Sequence, residues 1–272
     1  MTKLLHNRKV WLDWLKVLGM LFIIWGHTFP YNFTNFCYSF SVPLFFWASG
    51  FLAHTKGDLL YFFKKLWHSL IIPYLLICGI NLILNIIIFH HHYLSLTGVA
   101  KSVVAIFLGV QSFPDKTATG IGALWFVYTL ALIKIIHNMT SKRMMILLSL
   151  TSLLLVSILG FSNCHLSIAS TLLCMPFYTI GVLCQSVKLL ETPLSKKKSV
   201  FWTIAFIIGI VILFCLSDVN KAPYLYKLEY GRNIALMLFN ALLGITVLYI
   251  FAKLMEYTSK LGGGGAFLWL IN

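Results

Sequence analysis

Apolar stretches of about 20 residues recur along the whole chain, near 10–29, 36–53, 69–89, 121–138, 144–161, 167–187, 199–216 and 233–252, and another begins at about Ala266. A helix rises about 1.5 Å per residue, so a run of this length matches the roughly 30 Å of hydrocarbon in a bilayer. The pattern predicts an all-α protein, a polytopic bundle of about eight or nine transmembrane helices in one domain over residues 1–272. The run "KSVVAIFLGV" (101–110) is too short to span and is expected to be re-entrant or interfacial. Residues 1–9 lead into the first apolar run without a small-residue cleavage pattern, so that segment is expected to stay in the protein.

Composition agrees with a membrane chain. Of 272 residues 60% are hydrophobic and 10% charged, against about 45–50% apolar and 25% charged in a soluble domain. The net charge of +14 is spread over short loops and forms no basic stripe with interleaved aromatics, which argues against nucleic acid. Topology accounts for it. With a cytoplasmic N-terminus, 16 of the 21 Lys and Arg fall inside, and Lys101, Lys116, Lys221, Lys227 and Arg232 fall outside, as the positive-inside rule expects. The run "SKKKS" (195–199) is read first as a topology determinant that also favours anionic lipid.

Other polar signals are weak. Adjacent histidines splay by about 100° on a helix, so His90, His91 and His92 make a poor metal cluster and no metal site is expected. The cysteines show no metal-ligand spacing; Cys78, Cys174, Cys184 and Cys215 sit in or at the ends of apolar runs as small hydrophobes. Cys37 and Cys164 fall near the same predicted surface, but spacing alone does not pair them. The segments 90–120 and 217–232 mix aromatic and charged residues, suited to a sugar or a lipid headgroup and equally to interfacial anchoring.

The first apolar run carries the sharper signal. Within "LDWLKVLGMLFIIWGHTFPYNF" (12–33), Lys16 and His27 are eleven residues apart, three helical turns plus about 20°, so they share a face and lie roughly 16–17 Å apart along the axis. Asp13 is three residues before Lys16, close enough for an intrahelical ion pair. Ionisable residues inside a membrane are costly and mark function by default. For Lys16 the competing reading is a side chain snorkelling to the headgroups.

The pattern Lys16-x10-His27 in "RKVWLDWLKVLGMLFIIWGH", followed by "FSVPLFFWASGFL" (40–52), resembles the first two helices of the acyltransferase-3 family of integral membrane O-acyltransferases. Further pieces follow in the family's order: "FFKKLWHSLIIPYL" (62–75) is similar to its basic run before Pro-Tyr, "GALWFVYTLAL" (122–132) to its Leu-Trp-Phe helix, and "FYTIGVLC" (177–184) to a later helix. The resemblance implies transfer of an acyl group, usually acetyl, from cytoplasmic acyl-CoA to a hydroxyl of a cell-surface glycan or lipid-linked sugar, in a multi-pass protein of a bacterial inner membrane. It makes His27 the essential histidine, Lys16 the basic position of the motif and Asp13 its acidic neighbour. An imidazole is a suitable general base for a hydroxyl attacking a thioester.

For the donor, acetyl-CoA, the predicted inner cations Lys64, Lys65, Arg143 and Lys196 to Lys198 are candidates for its phosphates, and Trp125 with Phe126 for lining the acyl path. Ser49 reads as a packing residue, because Ser-Gly in a spanning helix permits close approach and no G-x-S-x-G elbow surrounds it. Two departures from the family stand out. His68 takes the place of a second arginine before Pro-Tyr, and "GGGG" (262–265) is an unfavourable start for a helix, so the chain is expected to lack its last one. The competing reading is a secondary transporter or flippase with Asp13, Lys16 and His27 as a polar path, but no matched pair of interrupted segments supports it.

Overall fold

The structure is a computed structural model that describes residues 9–29, 33–53, 58–88, 95–113, 118–160, 165–187, 190, 192 and 195–261. The histidines at 90–92, Cys164 and the segment 262–272 with its expected ninth span lie outside the described residues. Cys37 is a buried free thiol.

In chain order the helices are α1 Val10–Thr28, α2 Thr34–Phe51, α3 Leu59–Leu66, α4 Ile72–Ile88, α5 Leu96–Leu108, α6 Trp125–Met139, α7 Lys142–Leu159, α8 Ser167–Cys184, α9 Lys196–Asn220 and α10 Ile234–Leu261. The described residues contain no strand beyond the isolated bridges Val110–Leu166 and Tyr224–Glu229. The protein is all-α, as the apolar runs predict. Among the described residues, seven helical stretches are long and apolar enough to cross a membrane. Helix α2 has 18 residues but is diluted by Asn35, Ser39, Ser41, Pro43 and Ser49, and it is not among the seven. Twelve of its residues are buried, so its polar groups meet protein rather than hydrocarbon. The short apolar run is α5, whose 13 residues reach only about 20 Å.

One boundary differs from the sequence reading for a clear reason. A span at 69–89 is expected, yet α3 and α4 form one 30-residue rod, Leu59–Ile88, joined through a π-helical turn at Trp67–Ile71. Pro73 has no N–H to continue the ladder, and its ring crowds the carbonyl four residues earlier. The wider π turn takes up that conflict without ending the helix. Tyr74, the other half of the Pro-Tyr pair, donates its hydroxyl to the Ile106 carbonyl at 2.6 Å and so ties α5 to the rod.

The described residues group into two compact units. Unit 1 contains α1, α2, α9, α10 and the chain from Ile180; unit 2 contains α3 to α7, α8 through Thr179, and the segment Tyr224–Glu229. The core of unit 1 gathers Trp11, Leu15, Phe40, Leu44, Trp47 and Tyr249. Small residues allow the close approach: a Cβ on Gly244 would enter the Phe40 ring, and one on Gly181 would strike the Trp47 carbonyl oxygen. Gln185, one turn further, donates from Nε2 to the Gly50 and Phe51 carbonyls at 3.0 and 3.1 Å, the carbonyls left open where α2 ends. Gly50 itself is buried in this contact, which fits the packing reading of Ser49-Gly50. Unit 2 is bound partly by hydroxyls: Ser149 Oγ lies 2.7 Å from Thr179 Oγ1, and Thr129 Oγ1 donates to the Ser167 carbonyl at 2.9 Å.

Because the obstruction at Gly181 is backbone, Gly181→Val is expected to destabilise unit 1 by about 1–3 kcal/mol. Thermal unfolding of the detergent-solubilised protein will register this as a lowered midpoint, whereas Gly79→Val, where a Cβ meets nothing within 4 Å, will unfold near the parent's temperature.

Candidate functional site

Helix α1 is about 28 Å long by its 19 residues, nearly a full crossing, with Asp13 and Lys16 toward its start and His27 in its last turn. Its buried seam is Trp11, Leu12, Leu15, Gly19 and Gly26. Lys16 follows Leu15 as His27 follows Gly26, so the two flank the seam on the same side, as the eleven-residue spacing predicts. Asp13 and Lys16 are half-buried; His27 is exposed. Their separation, roughly 16–17 Å along the axis, keeps Lys16 and His27 from touching. Asp13 and Lys16 lie one turn apart near the start of α1, and a charge pair within 4.0 Å among the described residues is Lys253–Glu256.

The seam fixes where His27 stands. A Cβ on Gly26 would lie 2.6 Å from Cε1 of Tyr38 on α2, so only glycine lets that ring pack flat on the helix. The Tyr38 hydroxyl donates to the Gly26 carbonyl at 3.2 Å. In an uninterrupted helix that carbonyl would accept from residue 30, and Pro30 has no N–H. Tyr38 thus replaces the missing donor, and its ring centre lies 5.8 Å from that of His27. The result is an accessible imidazole on a helix end held by an aromatic neighbour. Sequence reasoning missed Tyr38; the pairing of Gly26 with a proline four residues on was the available signal.

Around the start of α1 the cations are held by rings. Lys9 Nζ lies 4.8 Å from the Phe51 ring centre and Lys253 Nζ 6.0 Å from that of Trp11. Lys253 is 3% exposed and bonds Glu256 at 3.2 Å, the arrangement a buried charge requires. Neither Lys253 nor Glu256 was singled out in the sequence.

Unit 2 carries the other candidate cations. Lys64 and Lys65 occupy the last turn of α3, exposed, and His68 follows in the π turn. Half-buried Lys134 lies on α6, which packs on that turn, and Lys65 stands near enough for the two charges to repel. No described carboxylate pairs with Lys134. Arg143 lies exposed in the first turn of α7, close in sequence to the same end of α6. Lys134 was counted for topology alone; the structure sets it half-buried on the helix that packs against the turn after Lys65. Trp125 stands apart, at the other end of α6 about 13 Å from Lys134. Its ring centre lies 6.2 Å from Tyr226 and 6.3 Å from Phe126. Among the described residues no group of three or more His, Cys, Asp and Glu is placed to hold a metal.

Seven helices among the described residues that are long and apolar enough to cross a membrane fit an integral membrane protein, with an exposed histidine at the end of one of them. A family model described as an acyltransferase domain, Acyl_transf_3, matches residues 9–268, and the chain belongs to this acyltransferase-3 family of membrane acyltransferases. No curated protein and no solved structure matches the chain.

The hydrogen bond from Tyr38 gives a direct test of how α1 ends. Tyr38→Phe is expected to cost about 1 kcal/mol, the usual worth of one such bond. Gly26→Val should cost more, because the Tyr38 ring must leave; thermal unfolding of both variants orders them.

Proposed function

We propose that the protein is an acyl-CoA-dependent O-acyltransferase, acetyl-CoA being the expected donor, that esterifies a hydroxyl of a cell-surface glycan or lipid-linked sugar at a bacterial inner membrane. The observation that carries this reading is His27: an exposed imidazole on the Lys16-x10-His27 face of α1 in a chain of an acyltransferase family. His27 acts as general base. It takes the proton of the acceptor hydroxyl as that oxygen attacks the thioester carbonyl, and the tetrahedral intermediate expels the CoA thiolate. The thiolate takes the proton back from the imidazolium, so the base is restored and no covalent enzyme intermediate is needed.

The distance between Lys16 and His27 suits this division of labour. A donor laid along that face places its thioester near one residue and a polar part of its extended arm near the other, roughly 16–17 Å away. Lys16 therefore serves donor placement, and Asp13, one turn before it, the local electrostatics of that helix end. Within unit 2, Lys64, Lys65, Lys134 and Arg143 are the candidate cations for the donor's phosphates, Lys134 being half-buried on the helix that packs against the turn after Lys65.

Two measurements test the reading. Radiolabelled acetyl from acetyl-CoA is expected in the glycan fraction of membranes carrying the protein, and His27→Ala at matched expression should lower transfer by about 10²–10⁴-fold. Transfer at the parental rate by His27→Ala removes the base assignment. For the donor site, Lys134→Gln should raise KM for acetyl-CoA about tenfold, one charge-assisted contact of about 1.4 kcal/mol, and leave KM for phosphate-free acetyl-pantetheine unchanged.

A further inference from the structure

The end of unit 2 that carries Trp125 is a stitched layer of loops rather than a set of loose connections. Gln111 N donates to the His165 carbonyl at 2.8 Å, Gly122 N to the Gln111 carbonyl at 3.1 Å and Ser167 N to the Gly109 carbonyl at 2.9 Å. Ser170 Oγ, which receives Gln111 Nε2 at 3.1 Å, donates to the Tyr226 carbonyl at 3.2 Å. Segment Tyr224–Glu229 is thereby pinned to this layer, with Leu225 and Leu228 buried and Leu228 held at a φ of 61°. A branched side chain at positive φ costs free energy and persists only where its surroundings fix it.

That knuckle displays a charge and rings. Lys227 Nζ lies 5.8 Å from the Tyr224 ring centre and 5.4 Å from that of Tyr226, whose ring continues to Trp125. No described carboxylate lies within 4.0 Å of Lys227, so its cation is steadied by π faces and keeps N–H donors for an incoming anion. All four side chains are half-buried, which sets the rings in place while leaving part of each open. Beside them the exposed Ser112 Oγ sits 2.9 Å from His165 Nδ1, a donor and acceptor pair of the kind that reads hydroxyls. Gln111, 4% exposed, keeps a buried carboxamide oxygen without a partner in the same layer.

We propose that this layer is a binding subsite for an acidic sugar residue. Lys227 takes the carboxylate, Tyr226 and Trp125 take the apolar face of the sugar ring, and Ser112 with His165 meets its hydroxyls. An interfacial anchor needs rings and a lysine but not a strained, hydrogen-bonded mount or a neighbouring polar layer. The subsite rests on the acyltransferase reading for calling its ligand the acceptor, and on that reading the acceptor is an acidic glycan. It lies at the opposite end of α6 from Lys134, the end away from the proposed donor phosphates.

Binding is measured apart from transfer. The full chain in phosphatidylcholine nanodiscs is titrated with trisaccharides ending in glucuronate, galacturonate or sialate, each beside its carboxyl-reduced form, and binding is read by saturation-transfer NMR. At least one acidic probe is expected to bind tenfold or more tightly than its reduced form. Lys227→Gln should erase that preference, Tyr226→Ala should weaken both forms, and Tyr226→Phe should restore them. His27→Ala should bind as the parent does. The proposal is overturned if no acidic probe binds, if the reduced forms bind equally well, or if Lys227→Gln leaves the preference intact. It is also overturned if that substitution alters only stability in phosphatidylglycerol nanodiscs, the result for a headgroup anchor. Selective binding without any acetyl transfer would sink the acyltransferase reading and leave the subsite standing; transfer without selective binding would do the reverse.

Discussion

Helix α2 can be buried only because its neighbours give up their side chains where they meet it. Gly244 admits the Phe40 ring, Gly181 lies against the Trp47 carbonyl, and Gly26 takes the Tyr38 ring. Lipid offers no hydrophobic gain for pressing one apolar helix on another, so association rests on contact area and interhelical hydrogen bonds. Both depend on close approach. The Gln185 bonds to the last carbonyls of α2 and the Tyr38 bond to α1 form only once the backbones are near. The same approach aligns Tyr38 beside His27, so the placement of the candidate base follows from packing.

That dependence explains why the two polar residues of the opening motif differ in exposure. Lys16 flanks a seam filled by Leu15 and remains half-buried, whereas His27 flanks a seam that narrows to Gly26 at the helix end and remains exposed. A half-buried charge is less screened and an exposed imidazole is open to solutes, which suits the roles proposed for Lys16 and His27. One helix offers both settings because its two ends differ in what packs beside them.

The apolar runs made nearly all the spanning helices legible, since the ruler they obey is bilayer thickness. It failed where a local conflict was absorbed rather than ended, as at Pro73, and it could not show that α2 owes its place to burial. The shared face of Lys16 and His27 was legible because helical angle is arithmetic on sequence position. Tyr38, Lys134 and Glu256 went unnoticed for a common reason: each matters through a partner on another turn or another helix. Trp125 was marked with Phe126 as an aromatic pair, and the structure adds Tyr226, whose ring centre lies 6.2 Å away; a partner some hundred residues on was not legible in the sequence.

The distribution of charge bears on how a membrane acyltransferase can join two polar substrates without opening a polar channel along its length. Buried or half-buried charges survive when paired or shared with rings, and the structure uses both devices, Glu256 with Trp11 for Lys253 and paired tyrosines for Lys227. Lys134 has neither among the described residues. A half-buried lysine beside a second lysine is a standing electrostatic cost, and a permanent carboxylate would remove it as well as a substrate does. On the proposed reading, anion binding at Lys134 would relieve a cost already present, which a surface lysine does not offer a donor's phosphates. At Lys227 the rings hold the cation without neutralising it, so the acidic ligand proposed there would meet a charge still open to pairing.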